Sequence, residues 1–258
     1  MGLQGQLTKD KFGYSIPVNA PMYKPFPVNY KDAEVLSITY LTDPKAASKL
    51  LPDQLELADV PAPKPAAIAV AIFAHYPSST VGEYEEVAQV LSCTYKPRSG
   101  ESRQVLYAVN FHVTTDEAMT AGREIAGFPK KIGRIRFKSG ETYRSSLERP
   151  AKTQICSCKF TRGKRIKNLK ITDVKEYVSL RVIPNPEKQA EPSLCQLVGS
   201  YWELGPGKYW NGNAKLKING SSKADPYHLL PVHQVVADRC VLFKGKMSAK
   251  GISFVQNL

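Results

Sequence analysis

A long succession of short segments with alternating apolar and polar residues is the feature that most constrains the fold. Such alternation is typical of β-strands that turn one face to a core and the other to solvent. No regular alternation of strand and helix suggests a parallel sheet. We therefore predict a mainly β protein with a few short helices, folded as an antiparallel β-barrel that encloses a pocket. The expected strands cover residues 35–41, 67–76, 84–95, 105–113, 134–138, 142–147, 153–160, 178–184, 194–203, 214–218, 231–242 and 252–255.

The chain length of 258 residues suits one large β domain. We expect residues 1–20 to form an extended arm and residues 21–258 to form a single domain. A proline-rich stretch at 61–65 is too short to divide that domain. A short helix is expected from Pro44 to Leu51, with proline at its first position. Turns are expected at residues 139–140, 162–163 and 205–207.

The segment from residue 114 to residue 133 departs from the strand pattern and predicts a helix that ends at a corner. Thr114 is the expected N-cap, and Glu117 three residues later would complete a capping box. Gly127 is expected to end the helix, and Pro129 prevents its continuation. Small or apolar residues recur at helical spacing, which suits a helix that lies close to a sheet; they are Ala118, Ala121, Gly122 and Ile125.

Two adjacent lysines, Lys130 and Lys131, follow this proline. Lysine pairs are usually solvated at the surface, but Phe128 and Ile132 bracket this pair and favour its burial. Burial and a neighbouring cation both disfavour the ammonium form of a lysine. Because a neutral lysine amine is the nucleophile that forms a Schiff base with a ketone, the pattern indicates carbonyl chemistry at this corner.

The combination of helix, glycine, aromatic residue, proline and paired lysines resembles the active-site segment of the acetoacetate decarboxylases. Residues 40–43, 178–185, 195–197 and 230–238 resemble other parts of that family, so the resemblance covers the chain from about residue 23 onward. It implies a cone-like antiparallel barrel with Lys130 as the Schiff-base nucleophile and Lys131 as the cation that perturbs it. Glu86 matches a carboxylate of the catalytic cavity. We further expect substrate contacts from Phe128, Ala71, Tyr84 and Arg123.

Two polar residues of the family are missing from this sequence. The decarboxylases carry an arginine before the first strand and a second glutamate on the strand that precedes the acidic cluster. Without gaps, these positions fall on Ala33 and Ala71. Lys31 would replace the arginine if two residues are inserted, and this alternative stays open. We therefore expect a largely apolar cavity wall and a substrate bulkier than acetoacetate.

The resemblance implies a lyase that decarboxylates a 3-oxo acid through an imine on the lysine. No cofactor is expected, because the imine itself accepts the electrons, and the protein is expected to be a homo-oligomer. The alternative is an aldolase-dehydratase that condenses pyruvate or a related oxo acid with an aldehyde. A non-catalytic protein that binds nucleic acid or a carbonyl compound is the third alternative.

Composition and motifs argue against several other classes of function. The net charge of +13 and the basic stretch at 162–170 suit nucleic acid, but no nucleic-acid-binding motif accompanies them. A positive field also favours an anionic oxo acid. The five cysteines and four histidines lack metal-ligand spacing, and His112 is expected to be structural. Without a signal peptide or a membrane-length apolar run, a cytoplasmic protein without a membrane partner is expected.

Overall fold

The structure, a computed structural model, describes residues 2–8, 10, 21–60, 65–98, 100–167, 176–188, 190–220 and 222–258. Strands dominate this part of the chain, as predicted. They are β1 (Val28–Thr42), β2 (Leu55–Leu57), β3 (Ala67–Tyr76), β4 (Tyr84–Tyr95), β5 (Arg103–Val113), β6 (Lys130–Ile132), β7 (Arg134–Lys138), β8 (Thr142–Glu148), β9 (Gln154–Ile166), β10 (Glu176–Pro184), β11 (Pro192–Ile218) and β12 (Gln234–Asn257). The helical segments are α1 (Pro44–Ser48), α2 (Asp116–Ala121), a π-helical turn (Gly122–Ala126) and a 3₁₀ turn (Tyr227–Leu229).

All of these strands belong to one mixed sheet. Hydrogen-bonded neighbours run in the order β10, β5, β4, β3, β1, β12, β11, β9, β8, β7, and β10 also pairs with β11. The expectation of a purely antiparallel arrangement is wrong, because β5 pairs in parallel with both β6 and β10. A parallel neighbour needs a crossover connection, and the helical segment between β5 and β6 supplies one. We therefore describe a mixed sheet rather than an antiparallel barrel.

The two longest strands, β11 and β12, replace the shorter strands expected in this region. The predicted turn at residues 205–207 is wrong, since β11 continues through it beside β12 with a bulge between Leu204 and Gly207. A β-carbon on Gly207 would lie 2.2 Å from the Phe243 ring, and one on Gly245 would lie 2.5 Å from the Gly207 Cα. These glycines therefore allow a close approach of two backbones at a bulge. Residues 162–163 likewise lie within β9.

Strand alternation divides the buried side chains between two regions of the interior. On β3, Phe73 packs in the large core with Leu36 and Leu91, whereas Ile72 packs with Phe111 in a smaller group. The smaller group lies next to an aromatic cluster that contains Tyr30, Tyr76 and Tyr84. We call these two smaller groups together the lysine-side core, because they surround the buried lysine described below.

Several expectations concern residues that the structure describes only in part. The predicted arm at residues 1–20 lies largely outside the described residues, as do residues 61–64 of the proline-rich stretch and 168–170 of the basic stretch. The helix α1 begins at Pro44 as predicted but ends earlier, at Ser48; the Asp43 carboxylate accepts a hydrogen bond from the Lys45 amide. In the described residues, no helix has the length and apolar character that crossing a membrane requires.

Candidate active site

The helix before the lysine pair begins one residue later than predicted, with Thr115 as its N-cap. The expected capping box of Thr114 and Glu117 is therefore wrong. The Thr114 hydroxyl accepts a hydrogen bond from the Glu85 amide at 2.9 Å and donates one to the Glu85 carboxylate at 3.1 Å. Because Glu85 already binds this hydroxyl, Thr114 connects β4 to the end of β5 instead of capping the helix.

The corner itself forms as the sequence predicts. Gly127 adopts a left-handed conformation with φ of 75°, and its amide donates to the Gly122 carbonyl. This conformation favours glycine, and a β-carbon there would also lie 2.7 Å from the Arg181 Cβ. The Phe128 amide donates to the same Gly122 carbonyl at 3.0 Å. The chain then enters β6, whose first residue is Lys130.

Lys130 points into the lysine-side core and is only 5% exposed. Its Nζ lies 2.7 Å from the Glu86 Oε2, and the carboxylate is similarly buried. The amine also lies 5.6 Å from the centre of the Tyr84 ring and 5.8 Å from that of Phe128. A buried ammonium is stable only with a partner of opposite charge or a proton acceptor. Glu86 supplies that partner, so the two side chains form a buried ion pair.

Gly122 makes room for the lysine side chain. A β-carbon at this position would lie 2.6 Å from the Lys130 Cδ and 2.7 Å from its Cε. The run of small residues predicted on this helix therefore clears a path for the lysine stem. Arg123 is exposed and donates from Nη1 to the Lys130 backbone carbonyl at 3.2 Å, so it holds the strand and does not line the cavity.

A narrow cavity of about 30 Å³ lies beside the Lys130 amine. Its polar groups are the amine and two phenols, those of Tyr30 and Tyr84, whose hydroxyls are 3.0 Å apart. Burial, together with the nearby Glu86 charge, raises the pKa of both phenols above the ordinary value of 10.0. The phenols are therefore neutral hydrogen-bond donors in the working pH range. The apolar lining consists of Phe26, Val28, Val81, Ala118, Ala121, Gly122, Ile125, Ala126, Phe128, Trp202 and Ala249.

Lys131 occupies the opposite face of β6, because successive residues of a strand alternate. Its Nζ donates to the Ala224 carbonyl and lies 3.3 Å from the Asp225 Oδ1. The same carboxylate oxygen lies 3.0 Å from His112 Nε2 and 3.1 Å from Arg149 Nε. The structure therefore brings Lys131 to a separate buried ionic cluster and not to the Lys130 amine.

Burial governs the protonation of this ionic cluster. It lowers the pKa of His112 to about 4, although the hydrogen bond to Asp225 opposes the change. Burial works in the opposite direction for Asp225, but its contacts with His112 and Lys131 keep the pKa of the carboxyl below the ordinary value. His112 is therefore neutral and Asp225 ionised at neutral pH. His112 is buried in β5 and is hydrogen-bonded to both Asp225 and Tyr227.

The structure separates the residues that the sequence marked as departures from the family. Ala71 packs in the large core with Ile38 and Leu91, so it is not brought together with Lys130. Ala33 is buried in the lysine-side core, whereas Lys31 is exposed. The bulge in β1 between Tyr30 and Ala33 points Tyr30 inward beside the cavity.

Sequence reasoning missed Tyr30 and Trp202 as cavity residues. Tyr30 stacks with Trp202 at 6.0 Å between ring centres. Tyr30 is followed by two consecutive polar residues, Lys31 and Asp32, which interrupt the alternation of β1. This interruption could have indicated the bulge from the sequence alone. In the part of the chain that the structure describes, no group of three or more potential metal ligands forms a site.

Comparison with known proteins identifies the family. The family described as Acetoacetate decarboxylase (ADC) matches residues 15–253. An acetoacetate decarboxylase of Clostridium botulinum is 27% identical over 233 residues, which cover 88% of both chains. The solved structure of acetoacetate decarboxylase from Legionella pneumophila has a TM-score of 0.82 at 20% identity and covers 99% of both chains.

A second solved structure shares the fold. It is the enduracididine biosynthesis enzyme MppR complexed with the condensation product of pyruvate and imidazole 4-carboxaldehyde. It has a TM-score of 0.74 at 20% identity and covers 93% of this chain and 95% of that chain. At such identity the likeness concerns the fold alone. The family match, in contrast, spans most of the sequence, and the chain therefore belongs to the acetoacetate decarboxylase family.

Proposed function

We propose that this protein is a cofactor-independent decarboxylase of a 3-oxo acid, with Lys130 as the nucleophile. The observation that carries the proposal is the buried Lys130 amine, 2.7 Å from the Glu86 carboxylate and beside a cavity lined mainly by apolar side chains. Family membership supports the same reaction class. An anionic oxo acid also suits a chain with a net charge of +13.

Glu86 has the position of the proton carrier in this reaction. In the resting pair the lysine proton can pass to the carboxylate, which leaves a neutral amine beside a neutral acid and removes two buried charges. The neutral amine attacks the ketone carbon to give a carbinolamine. The carbinolamine hydroxyl then takes a proton from the Glu86 acid and leaves as water, which gives a protonated imine and regenerates the Glu86 carboxylate. The Glu86 Oε2 lies 2.7 Å from the Lys130 Nζ, within the distance over which a carboxylate can exchange a proton with that nitrogen.

Decarboxylation then uses the imine as the electron acceptor. The bond between the carboxylate carbon and the α-carbon breaks, carbon dioxide leaves, and the bonding electrons form an enamine. Protonation of the α-carbon restores the imine, and addition of water releases the ketone and the free Lys130 amine. A low-polarity cavity favours this step, because the step converts the charged carboxylate and the charged imine into neutral carbon dioxide and a neutral enamine.

The cavity lining supports a substrate with an apolar substituent. Among the residues that the structure describes, no arginine lines the cavity, and its polar groups besides Lys130 are the phenols of Tyr30 and Tyr84. Neutral phenols donate weaker hydrogen bonds to a carboxylate than a guanidinium does. We therefore infer that longer or aromatic 3-oxo acids are preferred over acetoacetate, since their substituents contact the apolar wall.

Covalent trapping tests the nucleophile. Incubation with acetoacetate and a longer 3-oxo acid, followed by borohydride reduction, should add the mass of the carbonyl fragment to the peptide that contains Lys130. Lys130→Ala should lose the adduct, whereas the matched control Lys131→Ala should keep it. An adduct that persists in Lys130→Ala would refute the assignment.

An aldolase-dehydratase is the second candidate function. The observation that favours it is the shared fold with MppR, whose structure holds a condensation product of pyruvate and an aldehyde. The same imine would serve, but its enamine would attack an aldehyde. A panel of oxo acids with and without an aldehyde distinguishes the two: carbon dioxide release supports decarboxylation, and a condensation product without carbon dioxide supports the alternative.

A further inference from the structure

Four cations form a row across four adjacent strands at one end of the sheet. Lys138 of β7 is opposite Arg144 of β8, Arg144 is opposite Lys159 of β9, and Lys159 is opposite Lys215 of β11. All four side chains are exposed. Side chains that are directly opposite on neighbouring strands have β-carbons about 4.5–5.5 Å apart. The row therefore places four cationic side chains at directly opposite positions across the four strands.

The neighbouring row extends the same positive surface. Arg136, Ser146, Ser157 and Lys217 are opposite one another in register on the same four strands. Arg136 forms an ion pair with Glu148. Among the described residues, no ion pair links a carboxylate to any member of the four-cation row or to Lys217.

Such a row opposes folding, because like charges directly opposite on a sheet repel each other. Natural surfaces usually intersperse charges of both signs. A bound anion would offset the repulsion by contacting all four strands at once. The arrangement therefore indicates a ligand that carries several negative charges within a short distance.

The shape of this surface also suits a compact ligand. The two rows line a cleft of about 510 Å³, a volume typical of small-molecule sites. Its lining, as far as the described ranges go, consists of six cations and small polar or sulfur groups without an aromatic ring: Arg136, Lys138, Arg144, Ser145, Ser146, Ser157, Cys158, Lys159, Lys215 and Lys217. Single-stranded nucleic acids bind largely by stacking bases on aromatic side chains, and a planar membrane does not fill a cleft.

We propose that this cleft binds a small anion with several linked phosphate groups. Arginine and lysine donate charge-assisted hydrogen bonds to phosphate oxygens, and the serine hydroxyls add neutral donors. The cleft shares no lining residue with the cavity of Lys130, so this site is separate from the proposed active site. Recognition acts through the phosphates, because none of the described lining residues has a ring that would contact a nucleobase.

Calorimetric titration with sodium tripolyphosphate tests the proposal. The variant Lys138→Ser, Arg144→Ser, Lys159→Ser, Lys215→Ser should lose at least tenfold in affinity. A matched control removes the same number of positive charges from other exposed sites: Lys45→Ser, Lys49→Ser, Lys208→Ser and Lys246→Ser. It should bind within about twofold of the unmodified protein. Adenosine triphosphate should bind no more tightly than tripolyphosphate.

Thermal unfolding without ligand gives a second readout. Without ligand, the quadruple variant should melt at the same temperature as the unmodified protein or higher, since repulsion within the row is relieved. Tripolyphosphate should raise the melting temperature of the unmodified protein but not that of the quadruple variant. If the quadruple variant fails to fold, Arg144→Ser and Lys159→Ser, at the centre of the row, are compared singly. An equal loss of affinity in the control variant would show a nonspecific field and overturn the proposal. Tighter binding of oligothymidylate or of phosphatidylserine vesicles than of tripolyphosphate would overturn it in favour of those ligands.

Discussion

Replacement of Gly122 by alanine would place a methyl group against the stem of the reactive lysine. The added carbon would lie 2.6 Å from the Lys130 Cδ and 2.7 Å from its Cε, whereas carbon atoms pack comfortably at about 3.5–4.0 Å. Relief of the overlap requires a displacement of ~1 Å. The lysine tip is held by Glu86 at 2.7 Å, so either this contact or the helix must move.

The expected effect on activity is large and the effect on stability is small. A misplacement of ~1 Å in a reacting group costs about a hundredfold in rate, which corresponds to about 2.7 kcal/mol. Overpacking costs about 1–3 kcal/mol, but alanine favours a helix by about 0.8–1.0 kcal/mol over glycine. We therefore expect a decrease of about a hundredfold in kcat/KM while unfolding free energy changes by less than about 2 kcal/mol.

A matched variant separates displacement of the lysine from general crowding. In Gly133→Ala the new carbon would lie at the same 2.6 Å, but from the Leu147 Cδ1 in the large core. It should cost comparable stability and change kcat/KM much less. The measurements are borohydride trapping rates, decarboxylation kinetics and urea unfolding. If Gly122→Ala retains kcat/KM within threefold, or if both variants lose activity equally, the lysine contact is not what requires glycine.

Three further predictions concern the charged groups around the lysine pair. Glu86→Gln keeps the shape but cannot accept the lysine proton, so single-turnover decarboxylation should fall by about 10²–10⁴-fold; a change under threefold would contradict its role. Lys131→Ala should lower kcat/KM by less than tenfold, because Lys131 faces Asp225; a shift of the pH–rate profile by more than one unit would instead restore it as the perturbing cation. The pKa of His112 is lowered from 6.5 to about 4 in the folded protein. As the pH falls, the imidazole therefore binds a proton in the unfolded state before it does so in the folded state. Stability should therefore fall by about 3 kcal/mol between about pH 6.5 and pH 4, and urea unfolding of His112→Gln should show a smaller decrease.

The sequence predicted several strands with the observed bounds. The expected strands at 67–76, 84–95 and 134–138 coincide with β3, β4 and β7. The first two are largely buried on both faces, whereas β7 alternates between exposed residues and buried or half-buried ones. The sequence also predicted the corner at Gly127, where a left-handed residue and Pro129 leave the chain few alternatives. The burial of the Lys130 side chain follows from this corner, because β6 begins at that residue.

The parts that the sequence did not predict depend on contacts between distant residues. Gly205 and Gly207 suggested a turn, but they lie within β11 and allow its backbone to approach β12 closely. The sequence predicted Thr114 as a helix cap, but its hydroxyl is hydrogen-bonded to Glu85, which is distant in the sequence. Ala71 was assigned to the cavity by position in the family pattern, but the pleat of β3 turns it to the large core. The β1 bulge likewise moved Tyr30, and not Lys31, to the cavity.

The small size of the lysine cavity has a consequence for the timing of catalysis. A space of about 30 Å³ holds only about two water molecules, so binding of a 3-oxo acid requires the cavity walls to move outward. Two walls are joined by the hydrogen bond from the Tyr23 hydroxyl to the Glu124 carboxylate at 2.5 Å, which ties the chain before β1 to the π-helical turn. Because this turn carries the lining residues Gly122 and Ala126, outward movement of the wall would strain or break that hydrogen bond, and the movement would contribute to the time that each turnover takes.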